Sequence, residues 1–310
     1  MKKKRLLVTG SSGFLGRFLV PELKKKNIVD ALDSKNCNLL NDYSLKKFDK
    51  FKYDEIYHLA AWTQAGDFCL RYPGDQWINN QKINTNILSW WKTSQPNAKL
   101  IFMGTSCSYP INVKLSEENY FKGEPIKSLY TYAMTKRMLH QGAKSLSLQY
   151  GLKWASYIPS TLYGPHYHHD GRQMHFIFDL IRKILDGKYK NKKVILWGDG
   201  NQKRELVYVD DFVKTMLRNN NKINNDFVNL GSGKEYKIKE FALMICKIVN
   251  YDFKKIEFDK SKYVGAKSKI LKINKIKRID KKYEKKMTPL SIGLTNTVKW
   301  FYKKYKYDLL

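Results

Sequence analysis

The residues best suited to chemistry are a dispersed set of hydroxyl, thiol, amine and imidazole side chains. Thr105 and Cys107 lie two residues apart, Tyr132 and Lys136 follow as Tyr-x-x-x-Lys, and His175 comes later. Residues at i and i+4 share one face of a helix, so Lys136 can lie beside Tyr132 and should lower the pKa of its phenol. A hydroxyl from Thr105 could join Tyr132 in binding a carbonyl oxygen. The set predicts proton and hydride chemistry at a carbonyl carbon.

A glycine-rich turn upstream predicts that the chain binds a dinucleotide. The turn, Gly10-Ser-Ser-Gly13-Phe-Leu-Gly16, follows an apolar segment and opens a helical one. Glycines permit a tight turn and let backbone amides approach a pyrophosphate at a helix N-terminus. From this turn we expect cofactor contacts from Gly10, Ser12, Gly13, Phe14, Leu15 and Gly16.

The residues after the second predicted strand bear on the choice between NAD(H) and NADP(H). Asp33 follows the strand, where a carboxylate can bind both ribose hydroxyls and repel a 2′-phosphate. Ser34 and Lys35 come next and could hold that phosphate instead. The residues by themselves leave both cofactors open.

Short apolar strands alternate with helices, which is typical of an α/β fold with a Rossmann-type, doubly wound parallel sheet. We predict strands at residues 4–9, 28–32, 54–61, 99–104 and 153–159, and helices at 14–26, 78–94 and 130–150. Beyond residue 165 the pattern loosens: strands start at Val194 and Lys255, and Val209-Asp-Asp211 opens a helix with an Asp as N-cap. We expect a dinucleotide-binding domain over 1–165. Residues 166–310 should form a smaller, interleaved substrate-binding lobe, with some segments returning to the first domain.

The composition and charge of the chain bear on its binding partners and its location. The chain has 310 residues, and 58 basic against 28 acidic side chains give a net charge of +30. This charge is diffuse and mostly lysine, so we expect no nucleic-acid partner, although it would attract an anionic substrate. No apolar run approaches the roughly 18 residues of a membrane span, and the short apolar start indicates a strand rather than a signal peptide. We therefore expect a cytoplasmic protein with no membrane partner.

Cysteines and histidines give no metal signal. The four cysteines are scattered without a Cys-x-x-Cys pair, and three of them look like ordinary core residues. His166, His168 and His169 crowd together, but only Asp170 could complete a ligand set, so we expect no metal.

The chain resembles the extended short-chain dehydrogenase/reductase family over nearly its whole length, and within it the epimerase-reductase branch. The resemblance rests on the glycine turn, Tyr132-Ala-Met-Thr-Lys136 and a set of further motifs. These are His58-Leu-Ala-Ala61, Gly104-Thr-Ser-Cys-Ser-Tyr-Pro110, Leu162-Tyr-Gly-Pro-His166, Trp197-Gly-Asp-Gly200, Arg204-Glu-Leu-Val-Tyr-Val-Asp-Asp211 and Asn229-Leu-Gly-Ser-Gly233. Ser-Cys-x-Tyr-Pro followed by a distant His is specific to that branch.

The resemblance implies an NAD(P)H-dependent reduction of a GDP-4-keto-sugar together with epimerisation at C3 and C5. By this resemblance Thr105 would bind the keto oxygen, Tyr132 would protonate it, and Lys136 would hold the nicotinamide ribose. Cys107 and His175 would be the acid/base pair for epimerisation. The family favours NADP(H), with NAD(H) possible, and relatives pair long helices into homodimers.

Further contacts follow from the same resemblance. Besides the glycine turn, the cofactor would touch Asp33, Ser34, Lys35, Asn38, Leu39, Leu59, Ala60, Ala61, Tyr132, Lys136, Pro159 and Leu162. The nucleotide-sugar substrate would touch Ser106, Ser108, Thr161, Lys183, Trp197, Arg204 and Lys269.

Departures from the family pattern leave the sugar, deoxyhexose or heptose, and the base of the nucleotide open. Thr161 replaces a usual Asn, and Val264 and Ser268 replace an acidic residue and an Arg, while Gly265 and Lys269 remain.

A 4,6-dehydratase is disfavoured because Ser106-Cys107 stands where those relatives carry acidic residues. A plain 4-reductase or 4-epimerase stays as the enzymatic alternative, and a basic dinucleotide- or RNA-binding scaffold as the non-enzymatic one.

Overall fold

A computed structural model describes residues 3–262 and 266–307, and its central feature is a six-stranded parallel sheet. The strands of this sheet are β1 Arg5–Thr9, β2 Ile28–Leu32, β3 Glu55–His58, β4 Lys99–Met103, β5 Trp154–Pro159 and β9 Asp226–Leu230. They lie in the order β2-β1-β3-β4-β5-β9, and every neighbouring pair is parallel. This is the doubly wound, Rossmann-type sheet that the sequence predicts.

Helices cover both faces of this sheet because its strands are apolar on both sides. The helices around it are α1 Phe14–Lys24, α2 Phe68–Arg71, α3 Pro73–Ser94, α4 Tyr130–Tyr150, α6 Val209–Asn219 and α8 Asn274–Ile279. Leu6 and Val8 of β1 pack on one face with α1, α6 and α8, whereas Leu7 faces α3 and α4 on the other.

Much of the chain after residue 160 forms a second layer with its own core. Three helices share this core: α5 Phe176–Tyr189, α7 Ile238–Val249 and α9 Leu290–Lys304. Two small sheets border it. One consists of β6 Thr161–Tyr163, β8 Lys203–Tyr208 and β10 Glu235–Lys237, and in the other β7 Val194–Trp197 pairs in parallel with β11 Ile256–Asp259. Strand β9 belongs to the main sheet although it follows β8 in the chain.

Three features of these elements differ clearly from the sequence predictions. The strand expected at 54–61 stops at His58, because the backbone nitrogen of Ala60 bonds to the side-chain hydroxyl of Thr9, the last residue of β1, rather than to a backbone carbonyl. Helix α3 starts at Pro73 rather than at residue 78, since proline suits a first helical turn. The prediction that an Asp caps α6 is wrong: Tyr208 is the N-cap, and the aspartates lie in the first turn.

The fold brings the predicted functional segments to one edge. In a parallel sheet the carboxyl ends of all strands meet at the same edge, which is where such folds bind ligands. The glycine turn follows β1, residues 59–61 follow β3, the Thr105 segment follows β4 and residue 160 follows β5. Among the described residues, no helix has the length and apolar character needed to cross a membrane.

Candidate active site

The loop between β1 and α1 has a backbone shape that requires glycine at two positions. Gly10 has a φ of +69°, and a Cβ there would lie 2.7 Å from the backbone nitrogen of Ala60. A Cβ on Gly16 would lie 2.5 Å from the carbonyl oxygens of Gly10 and Ser11. The first amides of a helix lack carbonyl partners within it and favour anions. The loop therefore fits the pyrophosphate of a dinucleotide.

The loop after β2 is organised by Asp33. Its Oδ1 accepts hydrogen bonds from the backbone nitrogens of Lys35, at 3.0 Å, and Asn36, at 3.2 Å. Ser34 and Lys35 are exposed at the tip of this turn. The carboxylate thus shapes the turn as well as carrying the negative charge that bears on cofactor choice.

The other residues predicted to contact the cofactor differ in how far they are buried. Leu39 is buried in the core beneath α3 and α4, and Leu59 and Leu162 pack partly against the core beneath α1. The exposed contacts include Ser12, Gly13 and Asn38, and the partly buried ones include Phe14, Leu15, Ala60, Ala61 and Pro159.

The segment after β4 forms a tight turn that presents Thr105 and Cys107. Thr105 caps a single 3-10 turn at Ser106–Ser108, and its hydroxyl accepts a hydrogen bond from the Cys107 nitrogen at 3.2 Å. A Cβ on Gly104 would come within 2.1 Å of Ile158, so the turn packs closely on β5. Thr105 is buried, and Ser106 and Cys107 are partly exposed.

The structure does not support the predicted contact of Ser108 with substrate, because this residue is fully buried. Its hydroxyl donates to the carbonyl of Ala133 at 3.0 Å. Its own carbonyl accepts from Nε and Nη2 of Arg137, at 3.1 and 2.5 Å. Ser108 and Arg137 therefore join this turn to α4. Nothing in the sequence singles out Arg137, because an arginine inside a helix gives no signal of burial.

Tyr132 and Lys136 lie in the first two turns of α4, with the Lys136 ammonium 6.0 Å from the centre of the Tyr132 ring. Burial lowers the pKa of Lys136 to about 8. The expectation of a lowered pKa for Tyr132 is wrong. Burial raises that pKa, the negative charge of a Cys107 thiolate adds to the increase, and a hydrogen bond with Thr105 only partly opposes it. Tyr132 is thus held as a neutral phenol, a proton donor.

Cys107 is paired with Lys269, which comes from a distant part of the chain. The ammonium of Lys269 lies 3.1 Å from Sγ of Cys107. Burial raises the pKa of this thiol, but Lys269, the Thr105 hydroxyl and the charge of Arg204 together bring it below its ordinary value. The pairing favours a thiolate, which is the form able to act as a base.

His175 stands at the N-terminal boundary of α5. Its carbonyl accepts bonds from the first turn of the helix, while the residue is accessible to solvent. Desolvation by the surrounding protein lowers the pKa of the ring, and the positive charges of His168 and Lys269 lower it further. Lys269 therefore acts on both the Cys107 thiol and this imidazole, and His175 is neutral at pH 7.

The remaining predicted substrate contacts belong to the second layer. Arg204 on β8 donates to the carbonyl of Ala266 at 2.8 Å. Lys183 forms an ion pair with Asp179 at 3.0 Å. Trp197 is 58% exposed at the end of β7, and Thr161 is partly buried at the start of β6.

Two of the positions compared with the family pattern, Val264 and Gly265, lie outside the described residues. At the third of these positions, the Ser268 hydroxyl donates a hydrogen bond to Glu235 on β10 at 2.6 Å.

The histidine group near residue 168 does not form a metal-ligand set. Nδ1 of His168 lies 3.5 Å from Asp170, whose carboxylate also pairs with Arg172 at 2.8 Å. Within 3–262 and 266–307, no three His, Cys, Asp or Glu side chains meet in a geometry that could hold a metal ion.

Similarity to known proteins defines the class. The family described as NAD dependent epimerase/dehydratase matches residues 6–231, and the chain belongs to that family. It is an NAD(P)-dependent enzyme of the extended short-chain dehydrogenase type.

Within this family, the chain is similar to several GDP-L-fucose synthases. GDP-L-fucose synthase of Escherichia coli (strain K12) is 28% identical over 97% of both chains. Probable GDP-L-fucose synthase 1 of Oryza sativa subsp. japonica is 30% identical, over 97% of this chain and 92% of that protein. Among solved structures, the GDP-L-fucose synthetase of Naegleria fowleri superposes with a TM-score of 0.87 at 25% identity, covering 99% of this chain and 95% of that one.

Proposed function

We propose that this protein is an NADP(H)-dependent epimerase/reductase of a GDP-4-keto-sugar. The observation that carries the proposal is the pairing of Cys107 with Lys269 beside the Thr105–Tyr132 carbonyl site. A plain reductase needs the Thr105–Tyr132 carbonyl site but has no use for the Cys107–Lys269 pair. The similarity to GDP-L-fucose synthases over almost the whole chain supports the same function.

The carbonyl side of the site would bind and protonate the keto oxygen. Thr105 and Tyr132 both offer hydroxyls, and the raised pKa of Tyr132 keeps its proton available for donation. When bound, the reduced nicotinamide supplies the hydride for the keto carbon. The glycine loop would hold the pyrophosphate of the cofactor, and Lys136 its ribose.

The thiol side would invert the carbons next to the ketone. The C–H bonds at C3 and C5 are acidic because the resulting enolate places its charge on the keto oxygen. The Cys107 thiolate would remove such a proton, and His175 would return one to the opposite face. His175 is accessible to solvent, so its neutral ring would take up a proton from water and donate it to the carbon as the imidazolium.

The cofactor assignment rests on relatives and on the loop after β2. A second structure of the Naegleria fowleri GDP-L-fucose synthetase is described as bound to NADP. Exposed Ser34 and Lys35 could meet a 2′-phosphate, while Asp33 keeps its charge nearby.

We also propose a homodimer in the cytoplasm. Helices α3 and α4 pack side by side and expose large apolar side chains, among them Trp77, Ile78, Tyr130 and Met138. Such a surface fits a second copy of itself. The four cysteines are free, which is typical of a reducing compartment. Light scattering should give twice the mass of the chain, and a monomer would refute the dimer.

The reaction is tested with GDP-4-keto-6-deoxy-mannose and NADPH in deuterium oxide. We expect one NADPH consumed per sugar and a product with deuterium at C3 and C5, read by proton NMR. Cofactor consumption without deuterium at those carbons would identify a plain 4-reductase. A GDP-4-keto-heptose in a parallel assay distinguishes the two sugar classes.

A further inference from the structure

Glu205 is a buried carboxylate that has no direct part in the chemistry described above. It lies on β8 next to Arg204 and is 1% exposed. Burial raises its pKa to about 7, although backbone donors oppose the increase. Burying a charged group costs free energy unless polar partners compensate for it, so the contacts of Glu205 indicate its structural role.

Its two carboxylate oxygens hold two separate segments of backbone. Oε1 accepts a hydrogen bond from the nitrogen of Gly233 at 2.7 Å, and Oε2 accepts one from the nitrogen of Leu271 at 2.9 Å. Gly231 packs so closely that a Cβ there would lie 2.5 Å from Oε1. Glu205 is therefore a bridge between the loop after β9 and the chain around Leu271.

The chain around Leu271, residues 266–272, is called the substrate strap. Its start is anchored along β8: Arg204 donates to the carbonyl of Ala266 at 2.8 Å, and the backbone nitrogen of Lys203 donates to the carbonyl of Lys267 at 2.8 Å. Its end is held by Glu205 through Leu271, and next to it the Lys272 nitrogen donates to the carbonyl of Leu115 at 2.9 Å and the Lys272 carbonyl accepts from Asn229 at 3.1 Å.

Lys269 lies between these anchors, and its side chain leaves the strap to reach Cys107. Because Lys269 is two residues from Leu271, the Nζ–Sγ distance of 3.1 Å depends on where the strap backbone is held. A charge-assisted contact of this kind weakens as the distance grows, especially where water can enter.

We propose that Glu205 is a positioning residue that fixes the substrate strap and thereby holds Lys269 against Cys107. It acts on the thiol through Lys269 and touches neither substrate nor cofactor. Its consequence for epimerisation rests on the function proposed above, whereas its effect on the thiol does not.

The test compares the reactivity of Cys107 in the wild type and in Glu205→Gln. The rate of alkylation by iodoacetamide is measured against pH, and peptide mass spectrometry assigns the label to Cys107. The substitution replaces one carboxylate oxygen by an NH₂ group, which cannot accept a bond from a backbone N–H. We expect the apparent pKa of Cys107 to rise by about one pH unit or more, toward the value of an ordinary cysteine.

Two further variants separate positioning from general loosening. Lys269→Met should raise the same pKa, and adding Glu205→Gln to it should cause no further change. Asp211→Asn is the matched control, because Asp211 is another buried carboxylate and holds the Thr288 nitrogen at 2.6 Å rather than the strap. This control should cost stability without altering Cys107.

Each outcome decides the proposal. An unchanged Cys107 pKa in folded Glu205→Gln, or an equal rise in Asp211→Asn, would overturn it. If Glu205→Gln does not fold, Glu205→Asp keeps the charge but shortens the reach, and the absence of any rise there would overturn it equally. A raised thiol pKa in Glu205→Gln, in a protein that shows no deuterium exchange at C3 or C5, would refute the proposed function and support the positioning role.

Discussion

The cofactor-binding edge and the substrate side of the cleft are built in different ways. The edge is made of backbone in one contiguous loop, Gly10 to Gly16, where the absence of side chains creates the space. The substrate side is made of side chains from distant segments, with Cys107 and Lys269 separated by 162 positions. The backbone site thus comes from one short segment, with only the close approach of Ala60 from outside it, whereas the paired charges of the substrate side exist only in the completed fold.

Damage to each region should therefore have a different functional signature. Changes at the carbonyl site or the glycine loop should reduce hydride transfer or cofactor binding. Changes around Cys107 should affect exchange at the C–H bonds.

The largest effect is expected from Tyr132→Phe. Removing the phenol proton should slow reduction by roughly 10²-fold or more, the scale of general acid catalysis, while cofactor binding is retained. NADPH oxidation and fluorescence titration measure the two quantities. Tyr150→Phe, at the exposed far end of the same helix, is the control and should behave as wild type. Near-normal reduction by Tyr132→Phe would remove this residue from the carbonyl site.

Gly10→Ala should break the cofactor edge. The added Cβ would meet the Ala60 backbone at a positive φ, so we expect a loss of about 1–3 kcal/mol in the free energy of unfolding. Cofactor affinity, measured by titration, should fall with it. Gly74→Ala is the control, because its Cβ position in the first turn of α3 points into open space. Equal stability of the two variants would contradict the backbone constraint at Gly10.

The difference between a site built from one segment and a site built from distant segments explains how much of the structure the sequence predicts. The sheet, the glycine loop and helix α4 follow from short-range patterns, and α4 has the predicted bounds, Tyr130–Tyr150. The Lys269–Cys107 contact and the burial of Glu205 depend on long-range packing, which no local pattern encodes. The predicted direction of the Tyr132 pKa is wrong for this reason: spacing indicates a nearby lysine, but not the burial that dominates.

Because two histidines are buried, we expect the folded protein to lose stability at acidic pH. Burial lowers the pKa of His58, beside the cofactor edge, and of His140, in an aromatic cluster on α4, to about 3 each. Both folded pKa values lie below the unfolded value of ~6.5, so their stabilisation is present above pH 6.5 and is lost as the pH falls toward 3.

His140→Phe should flatten this pH dependence of stability. Between pH 6 and 4 the slope should decrease by up to about 1.4 kcal/mol per pH unit, since one fewer proton is taken up on unfolding. Urea denaturation at several pH values measures the slope. His169→Gln, at an exposed site, should leave it unchanged. An unaltered slope in His140→Phe would mean that the His140 ring is charged in the folded protein.

The smallest effect is expected from Asp33→Ala. Loss of the carboxylate removes repulsion of a 2′-phosphate but also frees the Lys35 and Asn36 amides that it holds. We expect the preference for NADPH over NADH to increase by no more than about tenfold, or ~1.4 kcal/mol. Fluorescence titration with both cofactors measures the ratio, and a shift toward NADH would contradict the assigned charge effect.

The most direct test of two separable regions is Cys107→Ser, assayed for both activities on the GDP-4-keto-sugar in deuterium oxide. Proton NMR reports exchange at C3 and C5, and NADPH absorbance reports reduction. Cys246→Ser, a change in the core of the second layer, is the control. We predict that Cys107→Ser loses exchange by at least about tenfold more than it loses reduction, giving a sugar that is reduced without inversion. Retained exchange, or an equal loss of both activities, would contradict the separation.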